Sequence, residues 1–357
     1  MNEITIGSRR IADDTPPYVV AEMSANHLGD VGRAVAIVEA AAAAGADAVK
    51  LQTYTADSMT LRSDRAPFRV SDDTPWGGTT LYELYERAAT PWAWHPRLKT
   101  LAEGLGLDLF SSPFDAATVD ALDRLGVPAY KVASFEIVDL PLLRAVAATG
   151  KPVIVSTGLA TREEVDEAVT TLLEAGASEI ALLTCTSAYP ARPDEMNLRG
   201  LGALTDAFGT VVGLSDHTLG ETVPVAAVAL GARIVEKHLT LARGDGGPDA
   251  AFSLEPDEFA RMVRAVREAY DALGGEGWGP TDGERPYRSF RRSLWVAEAI
   301  PAGSAVTPAN VRVLRPGHGL HPRHLGDVMG RSVAHDLDAG TPLTWDALSG
   351  NPSRTTG

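Results

Sequence analysis

Short apolar runs alternate with helical patterns along most of the chain. Continuous apolar character without polar alternation is typical of strands buried on both faces of a parallel sheet. From residue 18 to residue 274 the pattern predicts eight strands joined by crossover helices, which is the arithmetic of an α/β fold of the (β/α)₈ TIM-barrel type. The strand runs are YVVAEM (18–23), AVKLQT (48–53), LDLFSSP (107–113), AYKVAS (129–134), KPVIVST (151–157), EIALLTCT (179–186), VVGLSD (211–216) and RIVEKHL (233–239).

Two of the intervening helices have clear sequence signals at their ends. Thr161 and Glu164 form a capping-box pattern, and Asp257 opens a second helix that ends at Gly274-Gly275. We expect the apolar face of the first to comprise Val165, Ala168, Val169, Leu172 and Leu173. That of the second comprises Phe259, Met262, Val263, Val266, Tyr270 and Leu273.

Two segments depart from this rhythm. The connection between the second and third runs, residues 54–106, is long for a barrel, and such loops usually serve as lids or interface arms. After residue 274 the Gly/Pro-rich run GGEGWGPTDGERPYRS predicts a linker. We therefore expect a barrel domain at 1–274, a linker at 275–288 and a small β-rich domain at 289–350, built from SLWVAEAI, NVRVLRP and RSVAHDL.

Charge and composition narrow the function classes. The net charge of −15, from 32 basic and 47 acidic residues, disfavours nucleic acid and anionic membranes as partners. The N-terminal segment lacks a signal-peptide pattern, and no apolar run approaches a membrane span, so we expect a cytoplasmic protein. Cys185 is the single cysteine and lies in an apolar run, which favours a small buried residue.

Active sites of such barrels lie at the carboxyl ends of the strands. His217 and His238 end the seventh and eighth runs, which are neighbours in a closed barrel. Two imidazoles there can share a divalent metal and leave coordination positions open for substrate oxygens. The alternative interpretation is a pair of hydrogen-bonded core histidines.

Two lysines, Lys50 and Lys131, occupy the same edge of the predicted barrel. Together with several strand-end hydroxyls they predict a site for a phosphate or carboxylate ligand. The hydroxyls are those of Ser134, Ser156, Thr157 and Ser215. No Walker-type motif is present, which favours a small phosphorylated metabolite over a nucleotide. A lysine that forms a Schiff base, as in many aldolases, is the alternative.

Glu22 and Glu136 add two carboxylates to this edge. Either could orient or deprotonate a water molecule. Each could instead only pair with Lys50 or Lys131.

Taken in order, the motifs resemble those of the sialic acid synthase family from about residue 18 to about residue 335. Any one of them would be weak, but ten in the right order are specific. They are AEMSANH (21–27), GADAVKLQTY (45–54), SSPFD (111–115), YKVASFEI (130–137), STG (156–158), CTSAYP (185–190), GLSDHTLG (213–220), EKHLTL (236–241), GGPDAAFSLEP (246–256) and RPGHGL (315–320).

The resemblance implies a TIM barrel followed by an antifreeze-like (SAF) domain, in a domain-swapped homodimer. It also implies a divalent ion, usually manganese with magnesium or cobalt as alternatives, held by His217 and His238. The positions matching the family's phosphoenolpyruvate site are Lys50, Ser112, Lys131, Ser134, Ser156 and Ser215. Those matching its amino-sugar site are Gln52, Tyr189 and Asp249, with Arg315 reaching the N-acetyl group from the partner chain.

The implied reaction is a condensation of phosphoenolpyruvate with an N-acetylated sugar that adds water and releases phosphate. Glu136 or the metal would orient the water, and Glu22 would hold the sugar hydroxyls or protonate the developing alkoxide. A binding protein without catalysis is one alternative, but it has no need of so many charged and polar residues at the strand ends. A synthase that needs a second phosphate site is another, but it would want additional arginines.

Several segments look closer to pseudaminic acid synthases than to N-acetylneuraminate synthases. Ser187 stands where the latter carry Asn, and Ala250 stands where they carry His. With Phe252 nearby, these small residues would suit 2,4-diacetamido-2,4,6-trideoxy-L-altrose, whose methyl groups prefer apolar contact. N-acetylneuraminate or legionaminic acid synthesis remains the alternative.

Overall fold

The computed structural model describes residues 3–74, 76–275 and 277–350. The chain divides into two compact units, with the division between Gly274 and Gly275. Among the described residues, no helix combines the length and apolar character that crossing a membrane requires.

A closed barrel of eight parallel strands forms the first unit, which confirms the predicted fold class. Each strand pairs with the next along the chain, and the last pairs with the first, from Ile234 opposite Tyr18 to His238 opposite Glu22. A hairpin of β1 (Glu3–Ile6) and β2 (Arg9–Ala12) precedes them. The barrel strands are β3 (Tyr18–Glu22), β4 (Ala48–Thr53), β5 (Asp108–Pro113), β6 (Tyr130–Val132), β7 (Val153–Ser156), β8 (Ile180–Cys185), β9 (Val211–Asp216) and β10 (Ile234–His238).

Helices on the outside bury the barrel's outer face. Those of the first unit are α1 (Val31–Ala44), α2 (Ala56–Met59), α3 (Leu81–Ala88), α4 (His95–Gly104), α5 (Ala116–Leu125), α6 (Leu140–Ala147), α7 (Arg162–Glu174), α8 (Gly200–Phe208), α9 (Thr222–Ala229) and α10 (Pro256–Leu273). The long connection predicted from sequence holds α2, α3 and α4.

Helix ends follow the sequence signals, with small shifts. Thr161 accepts a hydrogen bond from Glu164 N at 3.2 Å, and the Glu164 carboxylate accepts one from Thr161 N at 2.7 Å, so the predicted capping box is present. Leu173 was expected on the buried face but is 46% exposed, because it lies about 100° around the helix from buried Leu172. Leu273, the last residue of α10, is likewise exposed.

The β1–β2 hairpin covers the amino-terminal ends of the barrel strands. Its side chains Ile4, Ile6 and Ile11 are buried in the same cluster as barrel residues Tyr18 and Phe110. Arg9 pairs with Asp47, just before β4, which ties the hairpin to the barrel. This end is therefore closed, and the opposite end carries the open cavity.

The second unit has its own core around two antiparallel strands. β11 (Ser293–Val296) and β12 (Val311–Leu314) pair there, and α11 (Leu325–Val328) follows. The predicted run RSVAHDL forms isolated bridges rather than a strand, because Ser332, Val333 and Leu337 each pair with a different segment.

Candidate active site

A cavity of about 420 Å³ opens at the carboxyl ends of the barrel strands. Strand alternation decides which side chains enter it, because residues two apart on a strand share a face. Ser215 and His217 therefore line the cavity, as do Glu236 and His238 on the neighbouring strand. The intervening residues Asp216 and Lys237 face away from it and are buried behind it.

Most of the residues predicted from sequence meet in this cavity. Those that line it are Lys50, Gln52, Lys131, Ser134, Glu136, Ser156, Tyr189, Ser215, His217, His238 and Asp249. Glu22 and Ser112 are fully buried beside Lys50, while Arg315 follows β12 in the second unit.

Lys50 is held by two carboxylates. Its Nζ lies 2.6 Å from Glu22 Oε2, 3.2 Å from Glu236 Oε1 and 3.4 Å from Ser112 Oγ. Burial lowers the pKa of Lys50, but attraction to Glu22 and Glu236 outweighs it and raises the pKa to about 12. Lys50 is therefore a fixed positive charge in the cavity wall.

Lys131 has a different environment. Its Nζ donates to Ser156 Oγ at 2.7 Å and to the Val132 carbonyl at 2.9 Å, with no carboxylate within ion-pair distance among the described residues. Burial lowers its pKa to about 8, and the attraction of Glu236 offsets this only in part. An anion that enters the cavity would give Lys131 a negatively charged partner.

The two predicted catalytic carboxylates differ in placement. Glu22 is fully buried, its Oε1 accepts a hydrogen bond from Ser24 N at 2.6 Å, and its Oε2 faces Lys50. This placement favours a role in positioning Lys50 over direct contact with a sugar. Glu136 instead lines the cavity from the 3₁₀ turn after β6, and its buried Oε2 has no hydrogen-bond partner among the described residues.

Both carboxyl groups are hard to ionise. Burial raises the pKa of Glu136 to about 7, and attraction to Lys131 opposes that rise. Burial also raises the pKa of Glu22 to about 7 against the attraction of Lys50. Carboxyl groups with pKa values near neutrality are suited to proton transfer.

The two histidines lie side by side, as strand order predicted. Their ring centroids are 5.3 Å apart. His217 Nδ1 lies 2.9 Å from the Thr186 carbonyl, so this nitrogen donates a hydrogen bond and Nε2 would be the nitrogen that can bind a metal. His238 Nδ1 is buried with no hydrogen-bond partner among the described residues.

These observations fit a metal held by two imidazoles and completed by substrate or water oxygens. They do not fit a pair of mutually hydrogen-bonded core histidines, since neither ring bonds the other. The described residues contain no group of three or more His, Cys, Asp or Glu side chains placed to hold a metal, so a closed structural site is excluded there.

Two predicted residues with hydroxyl groups, Thr157 and Ser187, are not part of the cavity lining. Thr157 Oγ1 donates to the Leu183 carbonyl at 3.2 Å, which turns this hydroxyl away from the cavity. Ser187 lies close to Gly158. A Cβ placed on Gly158 would come within 2.5 Å of Ser187 Oγ and 2.7 Å of Ser134 Oγ. Only glycine fits between these two hydroxyls.

Several cavity residues had no role predicted from sequence, among them Glu236, Cys185 and Trp76. Glu236 was recognisable, because it stands two residues before His238 on one strand. Cys185 was interpreted as a core residue but lines the cavity, with Sγ 4.0 Å from His217 Nδ1. Trp76 comes from the long connection, where no sequence signal predicts which side chains turn inward.

Known protein families and relatives match most of this chain. The NeuB family profile matches residues 37–277 and the SAF domain profile matches residues 291–349. Pseudaminic acid synthase of Helicobacter pylori is 43% identical over 335 residues, which cover 93% of this chain and 98% of that protein. N,N'-diacetyllegionaminic acid synthase of Legionella pneumophila is 35% identical, with 93% and 94% covered.

Solved structures give the same assignment. The crystal structure of N-acetylneuraminic acid synthetase from Leptospira borgpetersenii, in complex with citrate, superposes with a TM-score of 0.72 at 30% identity. It covers 80% of this chain and 94% of that chain. Barrel, SAF domain and ordered motifs agree, and the chain belongs to the NeuB family, the sialic acid synthase family.

Proposed function

We propose that the protein is a pseudaminic acid synthase. It joins phosphoenolpyruvate to 2,4-diacetamido-2,4,6-trideoxy-L-altrose, consumes one water and releases phosphate. The observation that carries this proposal is the meeting of two buried lysines, two neighbouring histidines and the Glu136 carboxyl group in a single cavity. The higher identity to pseudaminic acid synthases than to legionaminic acid synthases supports the choice of sugar.

Phosphoenolpyruvate would bind through its phosphate and carboxylate groups at Lys50 and Lys131. Lys50 is kept charged by its carboxylate neighbours, and Lys131, which lacks one, gains a partner when the anion binds. Hydroxyls at the strand ends would donate hydrogen bonds to the remaining oxygens of the anion. They are those of Ser112, Ser134, Ser156 and Ser215.

His217 and His238 would hold a divalent ion, for which manganese is our first choice and magnesium or cobalt the alternatives. When bound, such an ion polarises a carbonyl oxygen of the sugar. Gln52, Tyr189 and Asp249 would orient the sugar beside the histidines. The enol carbon of phosphoenolpyruvate would then form a bond to the aldehyde carbon of the open-chain sugar, whose oxygen takes up a proton and becomes a hydroxyl group.

Water completes the reaction at the carbon that bears the phosphate. Glu136 can accept the proton of the attacking water, because it lines the cavity, one of its carboxylate oxygens has no hydrogen-bond partner among the described residues, and its pKa is about 7. The bond between this carbon and the phosphate oxygen breaks, phosphate leaves, and a 2-keto acid remains. Glu22 keeps Lys50 in place throughout.

A Schiff-base aldolase is the second candidate, since the lowered pKa of Lys131 is a property that such an enzyme needs. Chelation separates the two functions, because an aldolase of this kind does not require a metal. Borohydride separates them as well, because it traps a substrate imine on the lysine.

The proposal extends to the assembly. We propose that residues 1–274 are the catalytic domain, 275–288 a linker and 289–350 the SAF domain, and that the protein is a homodimer in which Arg315 serves the other copy's sugar site. Exposed aromatic side chains at Trp278, Tyr287 and Phe290 support burial against a second copy. The reaction would take place in the cytoplasm, where phosphoenolpyruvate is made.

The test is phosphate release from phosphoenolpyruvate with Mn²⁺ and three separate sugars: the L-altrose derivative, its legionaminic-acid counterpart and N-acetylmannosamine. We expect release with the altrose to be far faster than with either other sugar, and to be abolished by EDTA. Preference for either other sugar would keep the mechanism and overturn the assigned specificity. No release with any of the three from folded, metal-loaded protein would overturn the proposed function.

A further inference from the structure

Trp76 reaches the cavity from the long connection between β4 and β5. Its indole Nε1 donates a hydrogen bond to the Pro248 carbonyl at 2.7 Å. Pro248 belongs to the loop after β10 and directly precedes Asp249. The indole therefore links the loops that follow the second and the eighth barrel strands and forms part of the cavity wall.

Three aromatic rings meet at this wall. The Trp76 ring centroid lies 5.2 Å from that of Tyr189 and 6.5 Å from that of Phe252. Tyr189 in turn lies 4.4 Å from His217, and Phe252 lies 5.0 Å from His238. The aromatic wall, defined as Trp76, Tyr189 and Phe252, is thus adjacent to both imidazoles.

The cavity therefore has two chemically different parts. One carries the lysines and serines, which suit an anion. The other offers ring faces: the Trp76 indole N–H is already bonded to Pro248, Phe252 has no polar atom, and Tyr189 contributes its single hydroxyl. A sugar face rich in hydroxyls would lose hydrogen bonds with water against such a wall, whereas methyl groups would gain apolar contact.

We propose that Trp76 is a specificity-determining residue whose indole face packs against a methyl-bearing group of a diacetamido-trideoxy sugar. This inference rests on the proposed function and deepens it. The wall distinguishes the methyl of a 6-deoxy carbon or a second acetamido group from the hydroxyls that N-acetylmannosamine carries there. Trp76 acts on sugar choice and leaves phosphoenolpyruvate binding to the lysines.

The test compares the unsubstituted protein with Trp76→Ala, Trp76→Phe and a control, Trp92→Phe. Trp92 lies in the same connection but is 44% exposed and stacks on His95 outside the cavity lining. The readout is the ratio of kcat/KM for the diacetamido altrose to that for N-acetylmannosamine at high protein concentration, together with the KM for phosphoenolpyruvate. Melting temperatures check that each variant is folded.

We expect Trp76→Ala to lower the ratio about 10–200-fold, the range for loss of a methyl contact, with the KM for phosphoenolpyruvate unchanged. Trp76→Phe should retain part of the selectivity and Trp92→Phe all of it. Equal loss for both sugars would show that Trp76 only braces the Pro248 loop, and an unchanged ratio would also overturn the inference. Absence of turnover by the unsubstituted protein would instead overturn the proposed function on which it rests.

Discussion

A buried ion pair behind the two histidines gives a prediction whose size can be worked from the structure. Lys237 Nζ bonds the Asp216 carboxylate and the Thr218 carbonyl, and both charged side chains are 0% exposed. Asp216 also accepts hydrogen bonds from Thr218 N at 2.9 Å and from Thr218 Oγ1 at 3.0 Å. Because these residues alternate with His217 and His238, the pair joins the two strand ends that carry both imidazoles.

Lys237→Met should leave the Asp216 carboxylate buried without its cation. Loss of one partner of a buried pair costs about 3–5 kcal/mol, and the two remaining hydrogen bonds from Thr218 place the expected cost near the lower end. At about 2–4 °C per kcal/mol for a large domain, the melting temperature should fall by on the order of 10 °C. Differential scanning calorimetry measures this directly.

The matched control is the double variant Asp216→Asn with Lys237→Met, which leaves no charge at either of these two positions. It should recover most of the lost stability, because the cost comes from the uncompensated carboxylate. Affinity for Mn²⁺, measured from the free-ion electron paramagnetic resonance signal, should fall about 10–100-fold in the single variant, as for other residues that position metal ligands. An unchanged melting temperature in the single variant, or a double variant as unstable as the single, would refute this reasoning.

Three further predictions concern the chemistry and the scaffold. Glu136→Gln should lower kcat about 10²–10⁴-fold. The kcat of the unsubstituted protein should decline as pH falls below about 7, because the protonated carboxyl group cannot accept a proton from water. A Glu136→Gln variant that shows the same decline at low pH would contradict the assignment. Borohydride added during turnover should leave Lys131 unmodified by mass spectrometry, whereas an adduct there would favour the aldolase. Thr161→Ala should cost about 0.5–2 kcal/mol in urea unfolding without changing the KM for phosphoenolpyruvate, because it removes only the cap of α7.

The barrel was predictable because buried parallel strands are recognisable in the sequence as continuous apolar runs. The runs AVKLQT and VVGLSD coincide with β4 and β9 residue for residue. Once eight strands are placed in order, their carboxyl ends must converge, and the alternation of side chains along each strand then brings Lys50, Lys131, His217 and His238 into one cavity.

Other features depend on tertiary contacts that no local pattern encodes. The β1–β2 hairpin is short, and its isoleucines are buried only because they pack against the amino-terminal ends of the barrel strands. For Glu22 the sequence left both contact with the sugar and pairing with Lys50 open, and its burial against Lys50 is visible only in the folded cavity. The position of Trp76 depends on the course of a long loop, and hence on its bond to Pro248.

The most direct test of the central claim is product analysis in water labelled with oxygen-18. The protein, Mn²⁺, phosphoenolpyruvate and the diacetamido altrose are incubated together, and both products are analysed by mass spectrometry. We predict a nine-carbon 2-keto acid whose mass equals sugar plus phosphoenolpyruvate plus water minus phosphate, accompanied by phosphate free of the label. Labelled phosphate, or pyruvate formed without the nine-carbon acid, would contradict the account.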